Sequence, residues 1–482
     1  NNTMDMEITI SNKYENVIYN YGLYYTYLDN ESHGIVIGQV TDFENVKTEA
    51  SISKDSVVLP LKITNVSNEP KSIKLGLKYS KIDIKYEDNE NKIDVYNCDI
   101  PNEPNLVKGM IPITYNEFKK VWEKADYSNW YDYENKKWAN AVMVTDKTRD
   151  SYIKADVGTL VKEEDILTYL VWIPRYRYKL FNTSFKEINP FEIEILFESK
   201  NYPKSSGTKD GEWLTHPAFT FGNEELTGIW VGKFETTGSE TQPTILPNMV
   251  ALTNQSVLQQ FDTSKIFSSY VNSNYVDSHM MKNTEWGAVA YLSQSKYGRC
   301  NLECNEIYQN NSMGITGRSK GAVALGEGEE DNPYLTTYGN YTYDDRVVSE
   351  NGTVLGYTNN NLGSRASTTG NITGIYDMSG GSNEYAMGTT IRLCNIDRKY
   401  YDLYPSSSSN ESFERSKLGD ATGEVRGFYG DKECLVDDNK PWSKRGCSSI
   451  GGEKSGLFYF CSIDGNAYNH ISFRSVMVVN NE

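Results

Sequence analysis

Apolar and polar side chains alternate with a period of two over the first 100 residues, and this alternation constrains the fold more than any other feature of the chain. It recurs in short segments such as 61–66, 73–79, 82–86 and 93–96, which Asn, Asp, Ser, Gly and Pro separate. A period of two gives each strand one packed face and one face in water. The pattern therefore predicts an antiparallel β-sandwich over residues 1–100.

The 482 residues are too many for one compact core, so we expect two or three domains. Pro101 and Pro104 mark a linker after the sandwich. Residues 101–160 are predicted to form a small β module with its linker, whose aromatic rings either pack as a core or stack on a sugar. Residues 161–482 carry many Gly, Asn and Ser loops and are predicted to form a third domain.

One helix signal stands out, at residues 283–297. Asn283 or Thr284 caps its start, and Gly298 follows its end. The stretch that follows, 298–377, is rich in loops. Long loops inside an ordered domain are usually functional, so we expect these loops to face a ligand.

Charge and hydropathy exclude two kinds of partner. The 48 Lys and Arg stand against 65 Asp and Glu, and the net charge of -17 repels nucleic acid and anionic lipid. No run of 18 apolar residues occurs, so no membrane span is predicted. The sequence begins at Asn1 without an initiator Met, and we expect that a signal or anchor segment has been removed from an exported protein.

The seven cysteines are an odd number, so at least one is unpaired within the monomer. Cys300 and Cys304 either close a small disulfide or offer two metal ligands, and the absence of a nearby Cys/His pair at zinc spacing disfavours the metal. No cofactor is predicted. Calcium is kept as an alternative at four acidic loop residues that lack an Asp-x-Asp-x-Asp-Gly frame, namely Glu330, Asp331, Asp344 and Asp345.

The C-terminal stretch 442–478 combines regular strands with irregular filling. Frame segments at 442–446, 456–460 and 472–478 alternate with two patches, 447–450 and 461–471, that follow no periodicity and no turn chemistry. The frame can bury itself whatever stands between its strands, and substitutions on exposed loops change stability little. A regular scaffold around irregular filling predicts a binding face.

Five motifs, in order along the C-terminal part, resemble those of the formylglycine-generating (sulfatase-modifying) enzyme family, a variant of the C-type lectin fold. They are V-W-I-P at 171–174, H-P-A-F to F-E-T at 216–236, K-N-T-E-W-G-A-V-A at 282–290, G-I-Y-D-M-S-G-G-S-N-E-Y at 374–385, and R-G with S-F-R between 445 and 474. The resemblance implies a C-type lectin domain with long loops. Together with the sandwich that the period of two predicts, the expected fold is α+β with an all-β N-terminal part.

The enzymes of that family bind copper through two cysteines just after an R-G-G-S strand and oxidise a substrate cysteine. In this chain Cys447 follows Arg445 and Gly446, but Gly452 stands at the second position, and Cys461 lies across a predicted strand. A copper site needs two thiolates held close together. We therefore predict that the protein is not an enzyme, with an oxidoreductase of this fold as the alternative.

The stretch 456–476 resembles the ends of the variable proteins of diversity-generating retroelements, found in phages and on bacterial surfaces. In those proteins randomised adenines turn Asn codons into a fixed set of residue types that lacks Lys, Glu, Gln, Met and Trp. The residues at 461–464 and 468–471 all belong to that set. The resemblance implies a ligand-binding face formed by Cys447, Ser448, Ser449, Ile450, Tyr459, Cys461, Ser462, Ile463, Asp464, Tyr468, Asn469, His470 and Ile471.

Beneath this face we expect structural support from four residues. Glu384 is interpreted as a buried acceptor for Arg474 or Arg445, and Trp442 opens the frame. Cys447 and Cys461 are interpreted as variable positions, with a disulfide between them as the alternative.

These patterns together predict a surface-displayed or fibre-borne ligand-binding protein, of the adhesin or receptor-binding type, on a bacterial cell or phage particle. The ligand would be a protein or glycan on another cell or surface, and the N-terminal domain would serve display or self-assembly. The alternatives are the oxidoreductase above and a structural filament subunit.

Overall fold

The computed structural model describes most of the chain from residue 100 onward and the strands before it. The described residues are 2–11, 17–27, 35–39, 56–65, 73–86, 93–98, 100–247, 249–271, 273, 275–301, 303–307, 346–348, 354–357, 363–410, 412–448 and 454–479. They fall into two compact units, residues 1–101 with 196–203, and residues 102–195 with 204–482. Within the described residues, no helix has the length and apolar character needed to cross a bilayer.

The N-terminal unit contains two antiparallel sheets of three strands each. In sheet order they are Asn2–Ser11, Ser56–Asn65 and Ile35–Gln39, then Val17–Tyr27, Ile73–Tyr86 and Ile93–Cys98. Antiparallel strands are what the period of two predicts, and they are compatible with a β-sandwich. The predicted segments 73–79 and 82–86 form one continuous strand.

An antiparallel sheet of seven strands forms the centre of the C-terminal unit. Its aromatic and aliphatic side chains, such as Trp172 and Trp230, which lie opposite each other on adjacent strands, are buried. In sheet order the strands are Val276–Met280, Ser475–Val479, Gly228–Gly232, Ile166–Pro174, Asn140–Val144, Met110–Asn116 and Val121–Lys124.

The segment 101–160, predicted as a separate module, differs from that prediction. From residue 102 it belongs to the C-terminal unit, and it supplies the last three strands of the seven-stranded sheet. Its rings pack as core: Tyr133 and Trp138 are buried and stacked, and the Tyr133 hydroxyl donates to the Trp172 carbonyl at 2.7 Å. The physical reason is that the strand at 166–174 would otherwise leave one edge unpaired.

A second sheet, of five strands, carries the C-terminal stretch. Asn383–Thr389 lies at its centre, with Trp442–Arg445 antiparallel on one side and two short strands parallel on the other. The two short strands are Asp402–Leu403 and Ile471–Phe473, and Phe460–Ile463 pairs antiparallel with Trp442–Arg445. The strand at 460–463 is therefore the edge strand beyond 442–445.

Helices are few. The α-helices among the described residues are Asp146–Lys154, Val257–Ser264 and Asn283–Ser293. The last is the predicted helix, and every residue in it is buried. Its N-cap is Lys282, whose backbone N–H donates to the Glu285 carboxylate at 2.8 Å, and it ends before the predicted Tyr297.

Short elements complete the fold. Short 3₁₀-helices lie at Glu163–Asp165, Pro217–Phe219, Lys265–Tyr270, Gly363–Ala366, Arg398–Tyr400, Phe413–Arg415, Gly423–Val425 and Phe428–Gly430. Short strands lie at Tyr176–Lys179, Ile195–Phe197, Trp213–Thr215, Thr220–Phe221, Glu224–Glu225, Thr237–Gly238, Pro243–Thr244, Arg346–Val348 and Val354–Tyr357. The described chain is thus mostly β, with several antiparallel sheets.

Candidate binding face

The edge strand Phe460–Ile463 alternates between the interior and the surface. Phe460 and Ser462 are buried, whereas Cys461 and Ile463 are half-buried. Successive side chains of a strand point to opposite faces, so Cys461 and Ile463 share the outer side. The strand is fixed in register by Trp442–Arg445, where Cys461 lies opposite Lys444.

The connection after this strand, residues 464–470, is held by its own hydrogen bonds. The Tyr468 hydroxyl donates to the Asp464 carboxylate at 3.0 Å, and the Asn466 backbone N–H donates to the same carboxylate at 3.1 Å. The rings of Tyr468 and His470 lie 5.5 Å apart. This connection and the outer side of the edge strand form one surface, here called the C-terminal face: Cys461, Ile463, Asp464, Asn466, Ala467, Tyr468, Asn469 and His470.

The C-terminal face offers several neutral hydrogen-bonding groups and one carboxylate. Partial burial and the ammonium group of Lys444 lower the pKa of His470, so its imidazole is neutral at pH 7. Asp464, Asn466 and Asn469 are exposed, and Tyr468 is half-buried. The face therefore presents one carboxylate, amides and two rings with polar atoms to solvent.

Three of the predicted ligand-binding residues lie inside the protein instead. Tyr459, Ser462 and Ile471 are 3%, 7% and 0% exposed. Ile471 pairs with Asn383 in the parallel ladder, and Ser462 takes the inward side of the edge strand. These side chains cannot reach a ligand without leaving the core.

The first predicted patch is only partly described. Cys447 and Ser448 are half-buried after the strand that ends at Arg445, and the Ser448 carbonyl accepts from the Ser455 hydroxyl at 3.0 Å. Ser449 and Ile450 lie outside the described residues.

Asn466 and Ala467 belong to the exposed surface, although the sequence analysis did not count them among the ligand-binding residues of the patch 461–471. The signal that could have found them is Gly465 before them, because glycine often occupies a turn position with positive φ. Gly465 has φ +88, and a Cβ added there would meet the Trp442 indole at 2.4 Å. The buried Trp442 thus supports the base of this turn.

Arg474 and Glu384 form a buried ion pair behind the face. The Arg474 Nε donates to Glu384 at 3.1 Å, and its remaining N–H groups donate to the carbonyls of Gly232 and Tyr376 at 2.8 and 2.9 Å. Both side chains are inaccessible to solvent. Since Gly232 lies in the seven-stranded sheet and Glu384 in the five-stranded one, this arginine joins the two sheets.

Arg445 makes a different set of contacts. Its Nε donates to the Asn283 side chain at 3.1 Å, and its Nη1 donates to the Ala421 carbonyl at 2.9 Å. Of the two arginines proposed for Glu384, Arg474 is thus the one that pairs with it. Arg445 fixes the strand at 442–445 to the start of the buried helix.

Glu235 lies beside the Glu384–Arg474 pair and was not singled out from the sequence. Burial, with repulsion from Asp377 and Glu384, raises the pKa of Glu235 well above its usual range. It accepts a hydrogen bond from the Ser382 backbone N–H at 2.7 Å. Glu235 is the glutamate of the F-E-T motif, and its place in that motif is the sequence feature that could have indicated it.

Metal binding finds little support among the residues present. In the part of the chain that the structure describes, no group of three or more His, Cys, Asp or Glu could hold a metal ion. The four acidic residues considered for calcium lie outside the described residues. Cys300 and Cys304 form a disulfide.

The copper pair of the resembled enzymes is not reproduced by these residues. Gly452 offers no thiol, and the sulfur of Cys461 lies 2.7 Å from that of Cys434. The residue types at the two family positions therefore do not fit a copper ion.

No family model and no curated protein matches the chain. A comparison with solved structures finds a likeness to the structure of PvdO from Pseudomonas aeruginosa, at TM-score 0.27 and 9% sequence identity. It covers 65% of this chain and 95% of that chain. At this TM-score the likeness carries no argument about fold or function.

Proposed function

We propose that this protein binds a ligand through its C-terminal face, on a domain of the C-type lectin type whose C-terminal stretch is diversified by a retroelement. One observation carries the proposal: in a single continuous stretch the frame is buried while most residues of the second irregular patch reach the surface. Leu457, Phe458 and Phe473 are buried, whereas Asp464 and Asn469 are exposed. A face of this kind can change its residues without changing its core.

The chemistry of the face supports binding to a protein or a glycan. Tyr468 and His470 offer rigid rings with a polar tip, which lose little conformational entropy when they are ordered. Asp464, Asn466 and Asn469 offer adaptable hydrogen-bonding groups. A mixture of this kind is typical of antibody paratopes and suits polar, hydrated surfaces.

The support behind the face favours the same function. Arg474 is held by Glu384 and two backbone carbonyls, and Gly465 packs on Trp442. None of these contacts involves the side chain of an exposed residue. The strands behind the face are therefore held in place without the side chains that the face displays.

The setting of this binding activity is part of the proposal. We place the protein outside the cell, on a bacterial surface or a phage particle, with the N-terminal unit serving display or assembly. The proposed activity is binding without catalysis. Copper-dependent oxidation of a cysteine-containing peptide by the purified protein would contradict that.

The nucleotide sequence around the gene tests the diversification. We expect a reverse transcriptase gene nearby and a repeat that matches the codons for 442–476 except at adenines. Absence of both from the complete genome would contradict diversification by a retroelement.

Binding itself is tested with a variant that changes only side chains of the C-terminal face. Asp464→Ala, Tyr468→Ala and Asn469→Ala are combined, and Phe118→Ala serves as the control because Phe118 is 93% exposed between the strands at 110–116 and 121–124. The probes are a printed glycan array and fixed bacterial cells. We expect the triple variant to lose the signals of the wild type at an unchanged melting temperature, and the control to keep them. Equal signals from all three proteins would overturn the proposed face.

A further inference from the structure

We propose that Cys434 and Cys461 form a disulfide that ties the segment 432–434 to the edge strand of the C-terminal face. Their Sγ atoms lie 2.7 Å apart, and both residues are half-buried. Cys434 stands before the irregular C-terminal stretch, whereas Cys461 lies within it. The cross-link would thus join a position outside the variable stretch to one inside it.

The backbone places the two cysteines side by side. The Cys434 N–H donates to the Phe460 carbonyl at 2.9 Å, and the Phe460 N–H donates to the Lys432 carbonyl at 3.1 Å. Glu433 and Phe460 therefore pair in parallel, and the next pair along this ladder is Cys434 with Cys461. Neighbouring strands lie about 4.8 Å apart, which is inside the range of about 4.4 to 6.8 Å between the Cα atoms of a disulfide.

The distance between the sulfurs favours a direct bond over a shared metal ion. Two thiolates on one tetrahedral ion, with metal–sulfur bonds of about 2.3 Å, hold their sulfurs about 3.8 Å apart. The observed 2.7 Å is much shorter than that separation. A metal would have to push the two strands apart, whereas a disulfide requires a small approach.

The surroundings make Cys461 the reactive thiol of the pair. The hydrogen bond with Cys434, together with the ammonium groups of Lys444 and Lys432, lowers the pKa of Cys461 to about 6. The same hydrogen bond and burial raise the pKa of Cys434. At pH 7 Cys461 is then a thiolate, the form that attacks a disulfide.

The reaction is a thiol–disulfide exchange with a small-molecule disulfide. The Cys461 thiolate attacks one sulfur of the reagent, forms a mixed disulfide and releases one thiolate. Cys434 then loses its proton to solvent and attacks the Cys461 sulfur, and the second reagent thiolate leaves. Two protein thiols are oxidised, one reagent disulfide is reduced to two thiols, and the Cys434–Cys461 bond forms.

Cys447 is the competing partner, because the sequence left a disulfide between Cys447 and Cys461 as an alternative. Burial and the thiols of Cys461, Cys447 and Cys434 raise the pKa of Tyr459, so Cys447 also belongs to this neighbourhood. The short sulfur contact, however, joins Cys461 to Cys434. The geometry thus replaces the earlier pairing with Cys434–Cys461.

The cross-link goes beyond the proposed function and holds whether or not the face binds a ligand. One consequence does rest on the proposed function: if position 461 is diversified, only versions with Cys at that position carry the link. Diversification would then alter the covalent anchoring of the edge strand as well as the groups displayed on it.

The test maps the disulfides of the full-length wild type. The protein is reduced, freed of reductant, incubated with oxidised glutathione, denatured in N-ethylmaleimide and digested for mass spectrometry. We expect the Cys434 and Cys461 peptides to be joined, and Cys394 and Cys447 to be alkylated. Alkylated Cys434 and Cys461 in a sample whose Cys300–Cys304 disulfide has formed would overturn the proposal.

Two serine variants separate the partners. In Cys434→Ser we expect Cys461 to stop at the mixed disulfide and to gain one glutathione. Cys447→Ser is the matched control and should keep the Cys434–Cys461 link. A link between Cys461 and Cys447 in the wild type also overturns the proposal, and because the mapping uses the wild type it stands even where a variant fails to fold.

Discussion

Glu384 and Arg474 neutralise each other where neither is reached by water. The variant Glu384→Gln removes the carboxylate charge but leaves the guanidinium buried, which typically costs about 3 to 5 kcal/mol of unfolding free energy. We expect a loss of about 3 kcal/mol in urea denaturation, since Arg474 keeps its bonds to the carbonyls of Gly232 and Tyr376.

The control for this variant is Glu194→Gln. Glu194 pairs with Lys179 at 3.1 Å, but both side chains are well exposed. Exposed pairs contribute about 0 to 1 kcal/mol, so the control should unfold nearly like the wild type. Equal unfolding free energies for Glu384→Gln and Glu194→Gln would show that the buried pair is not a support.

Glu424 makes the stability depend on pH. Burial raises the pKa of Glu424 to about 8, although the Gly419 N–H and the hydroxyls of Tyr178 and Tyr291 donate to its carboxyl group. This pKa is above that of the same carboxyl group in the unfolded chain, so the folded state holds the proton more tightly. The stability that this proton contributes is lost as the pH rises toward 8.

The variant Glu424→Gln keeps the shape of the protonated form. We expect it to match the wild type at pH 5 and to be the more stable of the two at pH 8, with a difference that grows by at most about 1.4 kcal/mol per pH unit. Thermal unfolding at both pH values measures this. Glu212→Gln is the control, because backbone hydrogen bonds from Thr208 and Lys209 lower the pKa of Glu212, and its effect should not change between pH 5 and 8.

The sequence was informative about some of these residues and silent about others. Glu384 and Arg474 lie in recognisable motifs. The choice between Arg474 and Arg445 as the partner of Glu384 depended on which strands are neighbours, and local sequence does not predict strand order. Glu424 stands in A-T-G-E-V, a stretch without periodicity, and a buried carboxylate there looks like any solvated one. Burial is set by residues distant in sequence, such as Tyr178 and Tyr291.

At the scale of elements, the connection 464–470 should tolerate substitutions much better than the strand after it. Asn469 is exposed, so Asn469→Ala should change the unfolding free energy by less than about 0.5 kcal/mol. Ile471 is fully buried, and Ile471→Ala should cost about 2 to 5 kcal/mol through lost contacts and a cavity. Urea denaturation of both variants checks this contrast, and similar losses in both would mean that Ile471 is not part of the core.

The proposed cross-link should stabilise the edge strand. It closes a loop between residues 27 apart in sequence, and in the chain-entropy view a cross-link over such a loop stabilises the folded protein by about 3.5 kcal/mol. We expect reductant to lower the melting temperature of the oxidised wild type more than that of Cys434→Ser. The variant is the necessary comparison because both proteins keep the Cys300–Cys304 disulfide, and equal shifts would assign the whole effect to that disulfide.

Local sequence patterns predicted strands and helices better than they predicted which side chains of a strand point to the surface. A period of two indicated the N-terminal strands, and the run at 283–297 indicated a helix that the structure has at Asn283–Ser293, because both signals are local. Ser462 was assigned to the surface because its residue type fits the diversified set, yet the alternation of the edge strand turns it inward. Assigning a side to each residue needs the register with Trp442–Arg445, which only the folded chain provides.

At the scale of the molecule, the proline pair near residue 101 marked a true boundary, but the next predicted boundary was absent. The two units meet in sequence at 101 and 102, whereas the chain around residue 160 continues within one unit. Composition changes at 160 because the loops become longer, while the sheet continues across that point. The strands of a sheet are joined by backbone hydrogen bonds, and amino-acid composition does not show which strands are joined.

This continuity predicts how fragments of the chain behave. The strands Asn140–Val144, Met110–Asn116 and Val121–Lys124 complete one side of the seven-stranded sheet. A fragment of residues 161–482 would leave the buried strand Ile166–Pro174 with an open edge and expose the apolar surface that Trp138 and Met143 cover. We expect fragment 102–482 to show a cooperative thermal transition and native near-ultraviolet circular dichroism, and fragment 161–482 to show neither.

The fragment 102–482 is the matched control, because it lacks residues 1–101 but keeps the whole seven-stranded sheet. Its cooperative unfolding would show that removing residues 1–101 is tolerated, so any failure of 161–482 is due to the three missing strands. If 161–482 instead unfolds cooperatively at the same temperature as 102–482, residues 102–160 are an appended module after all. In that case the aromatic cluster around Tyr133 and Trp138 would have to be explained by a role other than packing, and sugar stacking would become the first to test.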